Sequence, residues 1–250
     1  MDKLILPNNW NEVSCIQFLD IKNLNMDMTF FLRQLNILSI LSGKEVDDMY
    51  WDDMYVDDLS NAISQLKWIT SLPPNIYKKK INKLTCKDFN TLTLGEFIDI
   101  DYYFSQNQFE NLPKICAILY RQTKLDEWNN LIYEPYEFDI EARSELFYDI
   151  SIADIYGILN AYYTFRQSIV NNYYQLFNPI LDNEENLDDE DLDDPYVQKE
   201  IEKEKMQQKW AWDSVLHKLT DGDITKENGM YDLPLIFILN KLSYKKLFDT

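Results

Sequence analysis

Apolar residues recur at helical spacing along most of the chain. The first clear run is MDMTFFLRQLNILSILSG, where Phe30, Leu32, Leu35, Ile37, Leu38 and Leu41 form a wide apolar face and Gly43 stands where a C-terminal cap belongs. The stretch EVDDMYWDDMYVDDLSNAISQLKWITSLPP predicts a second helical region that Pro73 and Pro74 stop. Between Tyr77 and Asn90 the pattern changes to a basic cluster followed by rough alternation, which predicts a short strand or hairpin arm. A short helix is expected over Asn111 to Gln122, with Pro113 near its start and Arg121 at its C-terminal end, where the helix dipole favours a cation.

After the YEPYEF loop, helical spacing returns from about Ile140 to Phe177, with a break near Ile150 and Ser151. Its many aromatic residues, among them Phe147, Tyr156 and Phe165, read as core or interface. VQKEIEKEKMQQKWAWDSVLHKLTDGD predicts a long helix, solvated in its first half and buried around Trp210, Trp212, Val215, Leu216 and Leu219. LPLIFILNKLSYKKLF predicts a final apolar helix.

The expected fold is therefore mainly α: a compact multi-helix domain with at most a short strand or hairpin near 77–90 and an acidic flexible loop. Five glycines and eight prolines in 250 residues supply few of the turns that a sandwich, barrel or Rossmann sheet needs. The expected division is a helical core over 1–181, an acidic loop over 182–194, and C-terminal helices over 195–250 that pack on the core. In the segment DNEENLDDEDLDD, nine of thirteen residues are acidic, a self-repelling composition that predicts a flexible loop.

Charge narrows the function. A formal net charge of -19 repels phosphate backbones and argues against DNA or RNA as a partner. Cys15, Cys86 and Cys116 are odd in number, form no C-x-x-C pair and suit a reducing compartment. The N-terminal residues lack the pattern of a secretion signal, and no segment has the length of apolar residues that a membrane span needs. The expectation is a soluble protein of the cytoplasm that binds no membrane.

Acids and aromatic rings gather in TLTLGEFIDIDYYF, Thr91 to Phe104. Thr93-Leu94-Gly95-Glu96 matches a capping box, in which the Thr93 hydroxyl and the Glu96 carboxylate satisfy each other's backbone amides. Leu92 and Phe97 have the spacing of a hydrophobic staple, and Asp99 and Asp101 fall on different sides of a helix. That reading makes the acids structural. The repeats DDMYW, DDMYV and DDL have a period of five, which steps around a helix, and they lack the glycine-centred pattern of a calcium loop.

His217, the one histidine, sits near a predicted helix end and reads as a helix-terminal cation. No hydrolase, zinc, Walker or dinucleotide motif occurs. No catalytic residue, cofactor or metal ligand is expected, and the chain reads as a non-enzyme. Aromatic rings set among acids instead suggest protein docking, through Tyr50, Trp51, Asp52, Asp53 and Tyr55 or through Tyr162, Tyr163, Tyr173 and Tyr174.

LTLGEFIDIDYYF, ICAILYRQ and KWAWDSVLHKLTDGD, taken in that order, resemble segments of tail-assembly and baseplate-type proteins of tailed bacteriophages, including chaperone-like ones. The resemblance covers about a third of the chain and carries no catalytic signature. It implies a helical morphogenesis protein of the host cytoplasm, with other phage structural proteins or a second copy of itself as partner. Two alternatives stand beside it: a permanent virion subunit such as a connector, ring or baseplate part, and an acidic inhibitor or nucleic-acid mimic that occupies a basic groove on a host protein.

Overall fold

Ser14 begins the first helix with a complete capping box, its hydroxyl accepting from the Gln17 amide while the Gln17 side chain accepts from the Ser14 amide. The computed structural model describes residues 5–25, 27–44, 56–177, 217, 220 and 222–248. Its α-helices are α1 (Cys15–Lys22), α2 (Phe30–Ser42), α3 (Val56–Gln65), α4 (Leu94–Asn107), α5 (Leu112–Leu119), α6 (Ile140–Tyr148), α7 (Ile152–Ile155), α8 (Gly157–Asn172), α9 (Tyr174–Phe177), α10 (Ile224–Met230) and α11 (Leu235–Phe248). The fold is mainly α, as the periodicity predicts. The acidic segment 182–194 and most of the expected helix before Asp223 lie outside the described residues.

The hairpin expected near 77–90 is present as β1 (Lys80–Ile81) and β2 (Leu84–Cys86). Two further strands, β3 (Tyr120–Leu125) and β4 (Leu131–Tyr133), extend it to an antiparallel sheet of order β1-β2-β3-β4. The register pairs Thr85 with Arg121, Cys86 with Tyr120, and Leu125 with Leu131.

The helix expected over 111–122 therefore stops at Leu119. Tyr120 leaves the helical path, buries its ring and pairs with Cys86, so tertiary pairing overrides a local sequence that would continue as helix.

The chain divides into two compact units, each drawing on separated stretches. Unit 1 comprises Met1–Lys87 and Tyr102–Tyr163, and unit 2 comprises Asp88–Asp101 and Thr164–Thr250.

At the centre of unit 1 lies α5, in which every residue but Lys114 is buried. An aromatic cluster fills one side of this unit: Trp10 meets Trp68 edge-on at 5.0 Å and Phe18 at 5.6 Å, and Phe18 meets Tyr156 at 5.7 Å. Gly157 lets two backbones touch, because its amide donates to the Ile76 carbonyl at 2.9 Å and a Cβ there would overlap the Ile76 backbone.

In unit 2, Phe165 stacks on Phe89 at 5.5 Å and meets Phe97 edge-on at 6.2 Å. Leu235, Ile238, Leu239 and Leu242 place one buried stripe along α11, at the i, i+3, i+4, i+7 spacing of an amphipathic helix. Among the described residues, no helix is long and apolar enough to cross a membrane.

Candidate protein-interaction site

The acids of the capping segment are committed to structure. The Thr93 amide donates to the Glu96 carboxylate at 2.8 Å, and the Glu96 amide donates to the Thr93 hydroxyl at 3.3 Å. The Leu94 amide donates to the Leu233 carbonyl at 2.9 Å, and the Gly95 amide to the Tyr231 carbonyl at 3.0 Å. All the amides of the first turn of α4 are thus satisfied within the protein, which leaves no donor there for an anion. Asp101, farther along, accepts from Arg166 Nε at 2.6 Å.

A second charged cluster surrounds Arg121, which is buried on β3 rather than exposed at a helix end. Its Nε still donates to the Ile118 carbonyl in the last turn of α5, at 3.0 Å, so it does cap that helix. Nη1 donates to the Glu134 carbonyl at 3.2 Å, and the guanidinium lies 4.8 Å from the Tyr136 ring centre. Arg143 faces the Phe138 ring at 4.2 Å, donates to the Tyr120 carbonyl at 3.0 Å and pairs with the Glu134 carboxylate. Both arginines fasten the 134–138 loop over the sheet. Arg121 Nε and Nη1 and Arg143 Nη2 donate to main-chain carbonyls, and rings lie over both guanidinium groups.

The remaining chemistry-bearing residues are similarly accounted for. Cys15, Cys86 and Cys116 are free and buried. Burial pushes the Cys15 thiol up to about 12 and the Cys116 thiol well above its ordinary value, which keeps both protonated and unreactive. His217 is exposed, and its carbonyl accepts from the Gly222 amide at 2.9 Å. No cluster of three potential metal ligands occurs among the described residues.

The aromatic candidates are scattered. Tyr50, Trp51, Asp52, Asp53 and Tyr55 lie outside the described residues. Tyr162 is fully buried and packs on Phe104 at 5.1 Å, so it belongs to the core of unit 1 and not to a docking surface. Helical geometry turns Tyr163 the other way, where it lines a shallow groove with Gln108, Phe109, Tyr156, Leu159 and Asn160. In unit 2, Tyr173 donates to Asn240 at 2.8 Å, and Tyr174 is exposed.

A group of exposed apolar side chains lies elsewhere, at the tip of the β3–β4 hairpin. Trp128 is 78% exposed, Leu125 60% and Leu131 52%, with Ile132 beside them. The sequence Asp126-Glu127-Trp128-Asn129-Asn130 builds the tip locally. The Asn129 amide donates to the Asp126 carbonyl at 3.1 Å, the Asp126 amide donates to the Asn130 carbonyl at 3.0 Å, and Asn129 takes a left-handed φ of 63°. This is the three-residue hairpin loop in which a type I turn precedes a left-handed residue, a role that asparagine tolerates.

Asp126 locks the loop. One carboxylate oxygen accepts from the Trp128 amide at 2.9 Å and the Asn130 amide at 2.7 Å, and the other accepts from Asn130 Nδ2 at 3.0 Å. Bonds from Asn130, then from the Trp128 amide, hold the Asp126 carboxyl below its ordinary value. A tryptophan is therefore held out in water by a loop that is already ordered.

Helical periodicity does not mark this stretch. The turn residues DEWNN between TKL and LIY are the signal that would have found it. The first turn of α2 also exposes Phe30, Phe31 and Leu32, but it lies near Met26, outside the described residues, whereas every residue of the hairpin is described. No family model, curated protein or solved structure matches the chain.

Proposed function

We propose that the chain is a non-enzymatic morphogenesis factor of a tailed bacteriophage that acts by binding another virion protein, with the β3–β4 tip as its anchor. The observation that carries the binding role is the exposed Trp128 on a loop fixed by Asp126. Leaving a large ring in water forgoes the free energy of its burial, and a monomer seldom groups such side chains without a partner to cover them. Trp is enriched among residues that dominate interfaces, and an ordered loop loses little further entropy on binding. The phage assignment rests on the resemblance of three segments to tail-assembly proteins, of which the first covers most of α4 and the second joins α5 to β3.

The test is co-expression with the products of neighbouring genes, followed by co-purification and mass spectrometry of finished particles. A retained virion protein together with absence from particles supports an assembly factor. Presence in particles at fixed stoichiometry makes the chain a permanent subunit, and turnover of a substrate without any retained protein overturns the binding role.

A further inference from the structure

Helix α11 buries only one of its faces. Leu235, Ile238, Leu239 and Leu242 are buried in unit 2, and on the opposite side Phe237, Asn240, Lys241, Tyr244 and Leu247 are all exposed. At about 100° per residue these five fall within about 120° of one another. Phe237, Asn240, Tyr244 and Leu247 follow the alternating three- and four-residue spacing of a heptad seam, a, d, a, d, with Lys241 at the flanking e position.

Charge and apolar surface coincide on this face. The Lys241 ammonium lies 5.7 Å from the centre of the Phe237 ring, so both belong to one patch. Lys245 follows one turn on, along the same flank. Asn240 accepts from the Tyr173 hydroxyl at 2.8 Å and Lys246 donates to the Gln175 carbonyl, which sets α9 beside the helix. In an otherwise acidic chain these segments hold no Asp or Glu: residues 233–248 carry Lys241, Lys245 and Lys246, and residues 164–177 carry Arg166, which is bonded to Asp101.

Independently of the hairpin tip, we infer that this face of α11 docks an acidic amphipathic helix of a partner protein, whose apolar seam packs on Phe237, Tyr244 and Leu247 and whose carboxylates meet Lys241 and Lys245. Heptad spacing selects a helix as the occupant, because side chains of a second helix interlock at that period. Lysines beside the seam, on a helix without acids, select carboxylates at its flanks. A lipid surface or a nucleic acid duplex is anionic as well, but each extends far past one helix and meets the rest of a chain whose formal charge is -19. A single helix covers only the acid-free area, and exposed charges beyond it are screened within about 8 Å at physiological salt. A second copy would bring its own lysines to the seam and its own acids around it.

The experiment titrates the full chain with a dye-labelled peptide of about three heptads, Leu at a and d and Glu at e and g, with a scrambled isomer of it, and with vesicles of phosphatidylcholine and phosphatidylserine. The heptad peptide should bind more tightly than its isomer and than the vesicles, weaken as salt rises, and lose about tenfold or more in affinity in the Phe237→Ala, Tyr244→Ala variant. Lys241→Glu should also weaken it and flatten the salt dependence. Circular dichroism checks that the double variant is folded; if it is not, Lys241→Glu alone, at an exposed side chain, gives the comparison. Absence of binding, equal binding of the scrambled isomer, binding indifferent to these substitutions, or tighter binding of the vesicles overturns the inference. A dimer of the chain that Tyr244→Ala dissociates in sedimentation also overturns it, because a second copy then fills the seam. A virion protein retained through Trp128 while the heptad peptide does not bind would leave the proposed function standing and this surface refuted.

Discussion

Thr93 and Glu96 each satisfy the other's backbone amide, at 3.3 Å and 2.8 Å respectively, and the Glu96 side chain is completely buried in doing so. The reciprocal bonds close the start of α4, where the chain also meets the residues that lead into α11: the Leu235 amide donates to the Leu92 carbonyl at 2.9 Å. Thr93→Ala should lower stability by about 1 kcal/mol. Glu96→Ala should lower it by about 1–3 kcal/mol, because the Thr93 amide then loses its acceptor in a part-buried site. Urea midpoints of the two variants check the order, and both should bind a partner as the parent does.

Much of the helical framework was legible because its signals are local. Gly43 takes the left-handed φ of 67° expected of a C-cap, Thr93 and Glu96 close their box, and the break near Ile150 falls between α6 and α7. Sheet formation was less legible. ICAILYRQ contains nothing that forbids helix beyond Leu119, and the strand begins there because Tyr120 finds Cys86 across the sheet. The candidate site was missed for a related reason: an exposed Trp leaves no mark in an amphipathic pattern, and only the turn chemistry of Asp126 to Asn130 marks its place. Tyr162 and Tyr163 show the converse, since adjacent tyrosines in a helix face about 100° apart and only one of them reaches the surface.

Gly157→Ala should be severe. The new methyl would collide with the Ile76 main chain rather than with a movable side chain, so the loss should reach about 3 kcal/mol, read as a fall in Tm of about 6–12 °C. A Tm within error of the parent would show that Ile76 and Gly157 do not approach as described.

Alkaline pH should destabilise the fold. Cys15, Cys116 and Tyr120 all have ionisation raised by burial. Above each group's own ordinary value, lower for the thiols than for the Tyr120 phenol, the unfolded chain releases protons that the folded chain retains, so stability falls as pH rises, by about 1.4 kcal/mol per pH unit for each group in its range. For Cys15 the loss continues until its own value of about 12. Urea midpoints measured from pH 8 upward should decline, and Cys116→Ala should make the decline shallower; a flat profile would mean that the thiols are not shielded from water.

The account turns on Trp128, and the most direct measurement is the dissociation rate of a co-purified virion protein from the parent chain and from Trp128→Ala, with Trp51→Ala beside them. Trp128 is 78% exposed, so its loss should leave the Tm unchanged while dissociation speeds up about tenfold or more, equivalent to about 1.4 kcal/mol or more. Dissociation unchanged in Trp128→Ala and accelerated in Trp51→Ala would contradict the account and place the anchor in the Asp-Asp repeats instead.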